Sequence, residues 1–305
     1  MFNIYRYLLE VERCGSIRVA ANNLHVAPSA ISRHIKLAEY NLGTPLFERN
    51  PRGVTPTTAG QMYLRHARAT IQDRERVKLE IDELKGLRRG HLRICTIDGI
   101  VSGRLSDALS SFKKLHPGIT SHLNSTGTEL VTRAIRDGLA DIGITYNATP
   151  DAGVSIAFRV ADPLHLIVAP GHPLANRTTV DFIEALDFPL ALPEPTFGIR
   201  KLISAFCQSR RIAIKPELET NSIEALRGFA RSGAGVSMLH YLSISHDVEI
   251  GLVVAIPFRN RLLQQSWVEI CVQKNRQLPL VVERFIQQIK LAFSVQPSLP
   301  MKSLK

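Results

Sequence analysis

Apolar residues recur every three or four positions at the start of the chain, which is the spacing of one helical face. Ile4, Leu8 and Val11 follow this spacing and predict a first helix over residues 3–13. Gly15 is expected to end that helix, because glycine is the residue most often found just past a helix C-terminus.

Two further helices are predicted beyond it, separated by a four-residue turn. The first covers about 17–23, and the hydroxyl of Ser16 can cap it by accepting from exposed amides. Pro28 suits the first turn of the next helix, where a missing N–H is harmless, and Gly43 ends that helix.

The third helix separates into an apolar and a polar face when its residues are placed at 100° intervals. The apolar face comprises Ile31, Ile35, Ala38 and Leu42. The opposite face comprises Ser29, Ser32, Arg33 and Lys36. Hydroxyl and cationic groups in this order can reach base edges and phosphates in a DNA major groove. The alternative is an ordinary solvated helix face.

A short hairpin is predicted over residues 48–57, which are rich in proline and glycine and include Arg49 and Arg52. A hairpin that follows such a helix forms a wing, and its arginines are placed to touch the DNA backbone or minor groove.

One long helix is predicted over residues 58 to about 87, because Thr58 and Gln61 form a capping box and no glycine or proline follows until Gly86. Its apolar seam comprises Leu64, Ala67, Ile71, Val77, Ile81 and Leu84. We expect this seam to pack against a second copy of the helix. Packing against the same chain is the alternative.

Beyond Gly90 the pattern changes to short buried strands that alternate with helices, which is typical of α/β domains. The alternation occurs twice, and two crossings between the repeats predict two lobes around a cleft. We assign residues 90–162 and 265–293 to the first lobe and 163–264 to the second. The tail, 294–305, is predicted to be flexible.

The formal net charge is +11, and the excess is concentrated near the N-terminus. Residues 1–90 hold 15 Lys and Arg against 9 Asp and Glu, which favours contact with phosphates. The chain shows no secretory signal pattern and no apolar run long enough for a membrane span, so we expect a cytoplasmic protein.

Neither a metal site nor an enzyme is indicated by the motifs of the chain. The four cysteines are scattered without C-x-x-C spacing, which favours reduced thiols and leaves a redox pair of Cys207 with Cys95 or Cys271 open. H-E-x-x-H, G-x-S-x-G and P-loop motifs are all missing.

The run "GSIRVAANNLHVAPSAISRHI…NLGTPLFERNPRGVTPTTAG" resembles the N-terminal winged helix-turn-helix of LysR-type transcriptional regulators. Ala27-Pro28-Ser29 departs from the family's frequent Ser-Gln-Pro, so the helix cap loses a hydroxyl and an adenine-reading glutamine is missing. Residues 90–293 are similar to the family's effector domain, a periplasmic-binding-protein-like fold. The matches there include Phe112 with His116-Pro117-Gly118, and His172-Pro173-Leu174-Ala175.

The resemblance implies a DNA-binding domain over 1–58, a linker or dimerisation helix over 59–89 and a two-lobed α/β effector domain over 90–293. It implies a sequence-specific regulator of transcription that binds double-stranded DNA, a small-molecule effector and RNA polymerase. We expect a homotetramer built as a dimer of dimers, with no cofactor. The DNA contacts are expected from Ser16, Pro28, Ser29, Ser32, Arg33, Lys36, Arg49 and Arg52.

The effector is expected at the carboxyl ends of the strands, where helix N-termini present amides that favour anions. The residues expected to contact it are Thr96, Asp98, Gly99, Ser102, Thr126, Thr128, Thr196, Phe197 and Asn221. The resemblance places Thr128, Thr196 and Phe197 at contact positions and puts Gly99 where many members have serine. Asp98 departs from the usual small residue, so a ligand amine stays open beside an anion. Plain helix capping is the alternative role for each threonine.

Overall fold

The computed structural model describes residues 2–50, 53–83 and 90–294, and these form two compact units. The boundary between the units falls between Leu84 and Lys85. Each unit has a hydrophobic core of its own.

The first unit contains four helices and one hairpin among its described residues. The helices are α1 (Phe2–Cys14), α2 (Ile17–Leu24), α3 (Pro28–Leu42) and α4 (Thr58–Glu83). The hairpin joins β1 (Phe47–Asn50) and β2 (Gly53–Pro56) in antiparallel register. The core residues lie on all four helices and on the turn before β1, and include Leu8, Val11, Ala20, Ala21, Ile31, Leu46 and Leu64.

Local chemistry fixes the turn between α2 and α3. Ser16 caps α2 by accepting from the Val19 amide at 3.4 Å, as predicted. His25 ends α2 in the left-handed conformation (φ 55°), and Ala27 precedes α3 without a side-chain cap. Pro28 lies in the first turn of α3, where its missing N–H removes no helical hydrogen bond.

The apolar seam of α4 packs in part against its own chain. Leu64 and Ala67 are buried in the core of the first unit, where α4 meets α1. The expectation that the whole seam pairs with a second copy is therefore wrong for this half of the helix. Val77 is 46% exposed, while the side chain of Ile81 and residue Leu84 lie outside the described part of the chain.

The second unit contains eight α-helices and ten strands among its described residues. The helices are α5 (Ser106–Leu115), α6 (Thr128–Arg136), α7 (Phe182–Ala185), α8 (Gly198–Arg210), α9 (Ile223–Arg231), α10 (Ser245–Glu249), α11 (Arg261–Gln264) and α12 (Leu280–Ser294). The strands are β3 (Gly90–Thr96), β4 (Ile119–Ser125), β5 (Ile142–Tyr146), β6 (Val154–Ala161), β7 (Leu164–Val168), β8 (Leu190–Pro193), β9 (Leu218–Thr220), β10 (Val236–His240), β11 (Val254–Pro257) and β12 (Trp267–Gln273). A 3-10 turn covers Asp98–Ile100, a π-helical turn covers Val101–Leu105 and a further 3-10 turn covers Tyr241–Ser243.

The strands form two mixed five-stranded sheets, one in each lobe. The first sheet has the order β4-β3-β5-β12-β6, in which β12 runs antiparallel to β5 and β6. The second has the order β11-β7-β10-β8-β9, in which β7 runs antiparallel to β10 and β11. The parallel strands of each sheet end at the face where the helices α6, α8 and α9 begin.

The chain crosses between the lobes twice, and the two crossings are hydrogen-bonded to each other. Asp162, after β6, donates its N–H to the carbonyl of Ser266 at 2.9 Å. The Ser266 hydroxyl donates to the Asp162 carbonyl at 2.9 Å. Both residues are buried, so the crossing is a fixed polar joint inside the apolar core.

Candidate functional site

The polar face of α3 is open to solvent on the first unit. Ser29, Arg33 and Lys36 are exposed and Ser32 is half-buried, whereas Ile31 and Ile35 on the opposite face are 0% and 5% exposed. The predicted division into two faces is thus present. One predicted core residue departs from it, because Leu42, in the last turn, is 46% exposed.

The remaining residues predicted for this surface lie around the start of α3 and on the hairpin. Pro28 is exposed at the first turn, and Ser16 is half-buried at the start of α2. Arg49 pairs through its backbone with Val54 in the hairpin. The side chain of Arg49 and the whole of Arg52 lie outside the described residues.

Glu39 fixes the hairpin to α3, a role that the sequence pattern did not indicate. Its Oε1 accepts from the amides of Leu46 (2.8 Å) and Phe47 (3.3 Å), at the entry to β1. The other end of the hairpin contacts Gly15, whose carbonyl accepts from the Val54 amide at 2.8 Å. Gly53 permits this close approach, because a Cβ at position 53 would lie 2.5 Å from the same carbonyl oxygen. These contacts hold the wing against the helix-turn-helix.

A cavity of about 630 Å³ opens between the lobes of the second unit. Its lining residues come from the ends of the strands and the first turns of the helices: Asp98, Ser125, Thr126, Gly127, Glu129, Leu130, Glu194, Thr196, Phe197, Asn221 and Ser222. Five of the nine predicted effector residues are among them, namely Asp98, Thr126, Thr196, Phe197 and Asn221.

The other four predicted residues do not line this cavity, for separate reasons. Thr96 is fully buried and donates its hydroxyl to the Ile97 carbonyl at 3.2 Å. Gly99 is buried against lobe II, where its Cβ position lies 2.8 Å from Ser243 Cβ and 3.2 Å from His240 Nε2. The side chain of Ser102 is outside the described part of the chain. Thr128 is 5% exposed at the first position of α6.

Asp98 joins the two lobes through its carboxylate. The Ser125 hydroxyl donates to Oδ1 and the Ile223 amide donates to Oδ2, both at 3.4 Å. Ser125 ends β4 in lobe I, whereas Ile223 begins α9 in lobe II. Asp98, a predicted effector contact, therefore lies at the N-terminal, positive end of α9.

The N-termini of α6 and α8 also meet across the cleft. A Cβ on Gly127 would lie 3.6 Å from the Thr196 carbonyl. A Cβ on Gly198 would overlap the carbonyl of Tyr146 and lie 3.2 Å from Thr128 Oγ1. Only glycine at position 198 permits so close an approach of α8 to the end of β5.

Comparison with known proteins matches both units. Residues 2–61 match the model of the bacterial regulatory helix-turn-helix protein, lysR family, and residues 85–294 match the model of the LysR substrate binding domain. The chain belongs to the LysR family.

Curated relatives of this LysR-family chain carry regulatory names. The HTH-type transcriptional activator CmpR of Synechocystis is 25% identical and the match covers 92% of this chain and 91% of the relative. A probable RuBisCO transcriptional regulator of Porphyra purpurea is 27% identical over 96% and 94%. This LysR-family protein is a transcriptional regulator with a DNA-binding helix-turn-helix and an effector-binding domain, and it is not an enzyme.

Solved structures share the fold of this LysR-family chain over nearly its whole length. A full-length OxyR variant from Pseudomonas aeruginosa has a TM-score of 0.73 at 19% identity and covers 97% of this chain and 95% of its own. CbnR in complex with its target DNA has a TM-score of 0.62 at 18% identity, with coverage of 96% and 99%. At these identities the likeness concerns the fold.

Four cavity residues of the LysR-family domain that carry charge or hydroxyl groups were not among the nine predicted contacts, although two of them lie in segments predicted to border the ligand, 125–128 and 193–198: Ser125, Glu129, Glu194 and Ser222. Ser222 lies at a helix start, the kind of position from which the other contacts were predicted, and its hydroxyl caps α9 by accepting from the Ala225 amide at 3.2 Å. Glu194 follows β8 directly, which is the position where ligands collect in α/β sheets.

The cysteines of the LysR-family chain are free thiols, and the three named in the redox pair left open above, Cys95, Cys207 and Cys271, are all buried. Burial raises the pKa of the Cys271 thiol to about 11 and raises the pKa of Cys207, on α8 in the other lobe.

None of the described helices is both long and apolar enough to cross a membrane. Among the residues that the structure describes, no group of three or more His, Cys, Asp or Glu side chains could hold a metal ion.

Proposed function

We propose that the exposed face of α3 reads the major groove of an operator. The observation that carries this proposal is the opposition of Ser29, Arg33 and Lys36 to the buried Ile31 and Ile35 on one short helix. Hydroxyl groups at the N-terminal end and cations further along match the base edges and phosphates that such a helix meets.

The flanking residues have positioning roles in this proposal. Ser16 and Pro28, at the starts of α2 and α3, are proposed phosphate contacts, and Arg49 and Arg52 remain proposed contacts to the DNA backbone or minor groove. Glu39 sets the wing at its angle to α3 through the amides of Leu46 and Phe47.

The proposed function of the second unit is to bind a small-molecule effector between the lobes. The cavity of about 630 Å³ is of the size that small ligands occupy, and its lining comes from both lobes. Binding there would favour one relative arrangement of the lobes over another and so alter how the regulator engages DNA. Ser102 and Thr128 remain proposed contacts beside the five predicted residues that line the cavity.

The proposed assembly is a homodimer through α4, with dimers pairing into a tetramer. Leu64 and Ala67 are used within the chain, so the proposed contact surface lies on the rest of the helix, including Met62 (61% exposed) and Val77 (46% exposed). We retain the division into 1–58, 59–89 and 90–293 for the three roles. The proposed place of action is the cytoplasm with the chromosome, where RNA polymerase is a further partner.

The DNA assignment is tested by Arg33→Ala and Lys36→Ala in the full-length protein. Fragments selected from the host genome are titrated at low and moderate ionic strength, and fluorescence anisotropy gives the dissociation constant. Each substitution is expected to weaken binding by about 1–3 kcal/mol if the side chain contacts the duplex.

Lys114→Ala is the matched control, since Lys114 is an exposed cation on α5 of the other unit. Unchanged affinity for both α3 variants would remove the assignment. A protein that is folded and dimeric yet ignores every genomic fragment would remove the proposed function itself.

A further inference from the structure

The effector cavity is acidic although the chain as a whole is strongly basic. Its lining, as far as the structure describes it, includes three carboxylates, Asp98, Glu129 and Glu194, and no lysine or arginine. The net charge of the chain is +11. Cationic side chains are therefore abundant in the protein but are not placed on the cavity wall.

Two cations in the first turn of α8, the helix that follows the lining residues Thr196 and Phe197, are already paired. Lys201 of α8 forms an ion pair with Glu129 across the lobes. Arg200 pairs with Glu219 at 2.6 Å and also donates to the Pro193 carbonyl. These two cations are therefore held by partners of their own instead of being left for a ligand anion.

Two carboxylates remain after this pairing, one on each lobe. Glu129 is neutralised by Lys201. The carboxylate of Glu194 has no hydrogen-bond or ion-pair partner among the described residues, and Asp98 receives two long hydrogen bonds from Ser125 and Ile223. Like charges that face one cavity repel, and a cation between them removes that repulsion.

The chain also fills one of the anion-binding positions of the cleft, the start of α9. The N–H of Ile223 donates to Asp98, the N–H of Ala225 to the Ser222 hydroxyl and the N–H of Ser222 to the Thr220 hydroxyl at 3.1 Å. An anionic ligand that bound at the start of α9 would need these amides. The carboxylate of Asp98 already accepts a hydrogen bond from the amide of Ile223, the first residue of α9.

An unused polar group marks the same region as a place for a ligand. Thr128 lies between Gly127 and Glu129, which both line the cavity. Its Oγ1 is buried, and no described residue forms a hydrogen bond with it. A buried hydroxyl without a partner is uncommon in a folded protein and is satisfied when a ligand or water reaches it.

We infer that the effector is a small organic cation, whose protonated nitrogen lies between Asp98 of lobe I and Glu194 of lobe II. The inference rests on the proposed function of this cavity. A charged N–H donor forms its strongest hydrogen bonds with carboxylates, and a nitrogen held by both lobes favours the closed cleft.

The test uses the full-length protein and matched pairs of simple probes. The amines are n-butylammonium, 1,4-butanediammonium, benzylammonium and agmatine, and the acids are butyrate, succinate and benzoate, all at one ionic strength. Thermal shift and calorimetry measure their binding to the wild type, Asp98→Asn, Glu194→Gln and the control Asp107→Asn, whose carboxylate is exposed on α5.

At least one amine is expected to bind the wild type and the control, with roughly tenfold or greater loss in each cavity variant, as for a lost charge-assisted hydrogen bond. Acids are expected to bind only Asp98→Asn, in which the carboxylate no longer competes for the α9 amides. Acid binding to the wild type, equal amine binding to all variants, or no binding by any amine would overturn the inference.

DNA binding by the same preparations distinguishes failure of the inferred ligand class from failure of the proposed regulatory function. If the wild type binds selected genomic fragments but takes acids instead of amines, the ligand class is wrong and the regulator assignment stands. If the wild type binds an amine but ignores all genomic fragments, the proposed function fails while the chemistry of the cavity stands.

Discussion

Removal of the Asp162 carboxylate is expected to loosen the joint between the lobes. The side chain is 1% exposed. Its Oδ1 accepts from the Leu242 amide at 3.1 Å, and its Oδ2 lies 2.8 Å from His240 Nδ1, without the alignment of a hydrogen bond. The carboxylate thus fixes the Tyr241–Ser243 turn of lobe II to the first crossing.

The magnitude follows from what Asp162→Ala leaves behind. The buried Leu242 amide loses its acceptor, which costs about 1–3 kcal/mol. Loss of the side-chain volume from a close-packed site adds about 1 kcal/mol. We expect a total of about 2–4 kcal/mol for Asp162→Ala. Asp162→Asn keeps an oxygen for Leu242 and is expected to cost about 1 kcal/mol.

Urea unfolding of the full-length protein measures this difference through the fluorescence of Trp267. It is the single tryptophan of the chain and follows Ser266, which is hydrogen-bonded to Asp162 at the crossing. Asp107→Asn controls for the loss of one negative charge. If Asp162→Ala unfolds within about 0.5 kcal/mol of the wild type, a range usual for surface substitutions, the carboxylate does not hold the joint.

Three further substitutions test the second unit. Burial alone would raise the pKa of Asp141, but hydrogen bonds and charge from Arg93 at 2.7 Å, with a second arginine, lower it below its usual range. The wild type is therefore expected to be more stable than Asp141→Asn at pH 7, and the gap in a pH series of urea midpoints should shrink as the pH falls below about 4. Burial raises the pKa of Glu269, so the charged carboxylate destabilises the folded wild type at pH 7. Glu269→Gln is therefore expected to be more stable than the wild type at pH 7 and to lose that advantage on acidification. A constant difference in urea midpoint from pH 4 to 8 would contradict this. Gly198→Ala places a Cβ on the Tyr146 carbonyl and is expected to cost about 1–3 kcal/mol in the same assay, with an unchanged midpoint as the contrary result.

Local signals in the sequence predicted the helices of the first unit, although α4 is capped by Thr57, whose hydroxyl accepts from the Gly60 amide at 2.9 Å, and not by the predicted box of Thr58 and Gln61. Helix boundaries at Ser16, Pro28 and Gly43 depend on caps and turns that involve near neighbours in the chain, and α3 begins and ends as predicted. Local sequence did not show which element packs against the apolar seam of α4. Leu64 and Ala67 are apolar at the spacing of a paired helix, yet α1, more than 50 residues earlier, is what covers them.

The α/β alternation of the second unit was visible in the sequence, but two antiparallel strands were not. β6 (Val154–Ala161) has an irregular burial pattern because it lies at the edge of its sheet, and β11 (Val254–Pro257) is also an edge strand. Edge strands need less continuous hydrophobicity than central ones, so periodicity detects them poorly.

The cavity residues show the same limit at the level of single side chains. Strand ends and helix starts predicted Thr126, Thr196 and Phe197 from local position. The role of Asp98 depends on the Ile223 amide, which is 125 positions away in the chain. No pattern within either segment indicates that contact.

The packing of Gly99 explains why this position lacks the serine hydroxyl expected from the family resemblance. The Cβ position of Gly99 is within 2.8 Å of Ser243 Cβ, so a serine side chain would displace the turn that Asp162 fixes. His240, next to Gly99, stacks on Tyr146 with ring centroids 4.9 Å apart. Cavity wall and lobe crossing are thus one packed cluster with no room for an added hydroxyl. Asp98, the neighbour of Gly99, does line the cavity, and its carboxylate can only accept hydrogen bonds, which favours a ligand that donates them.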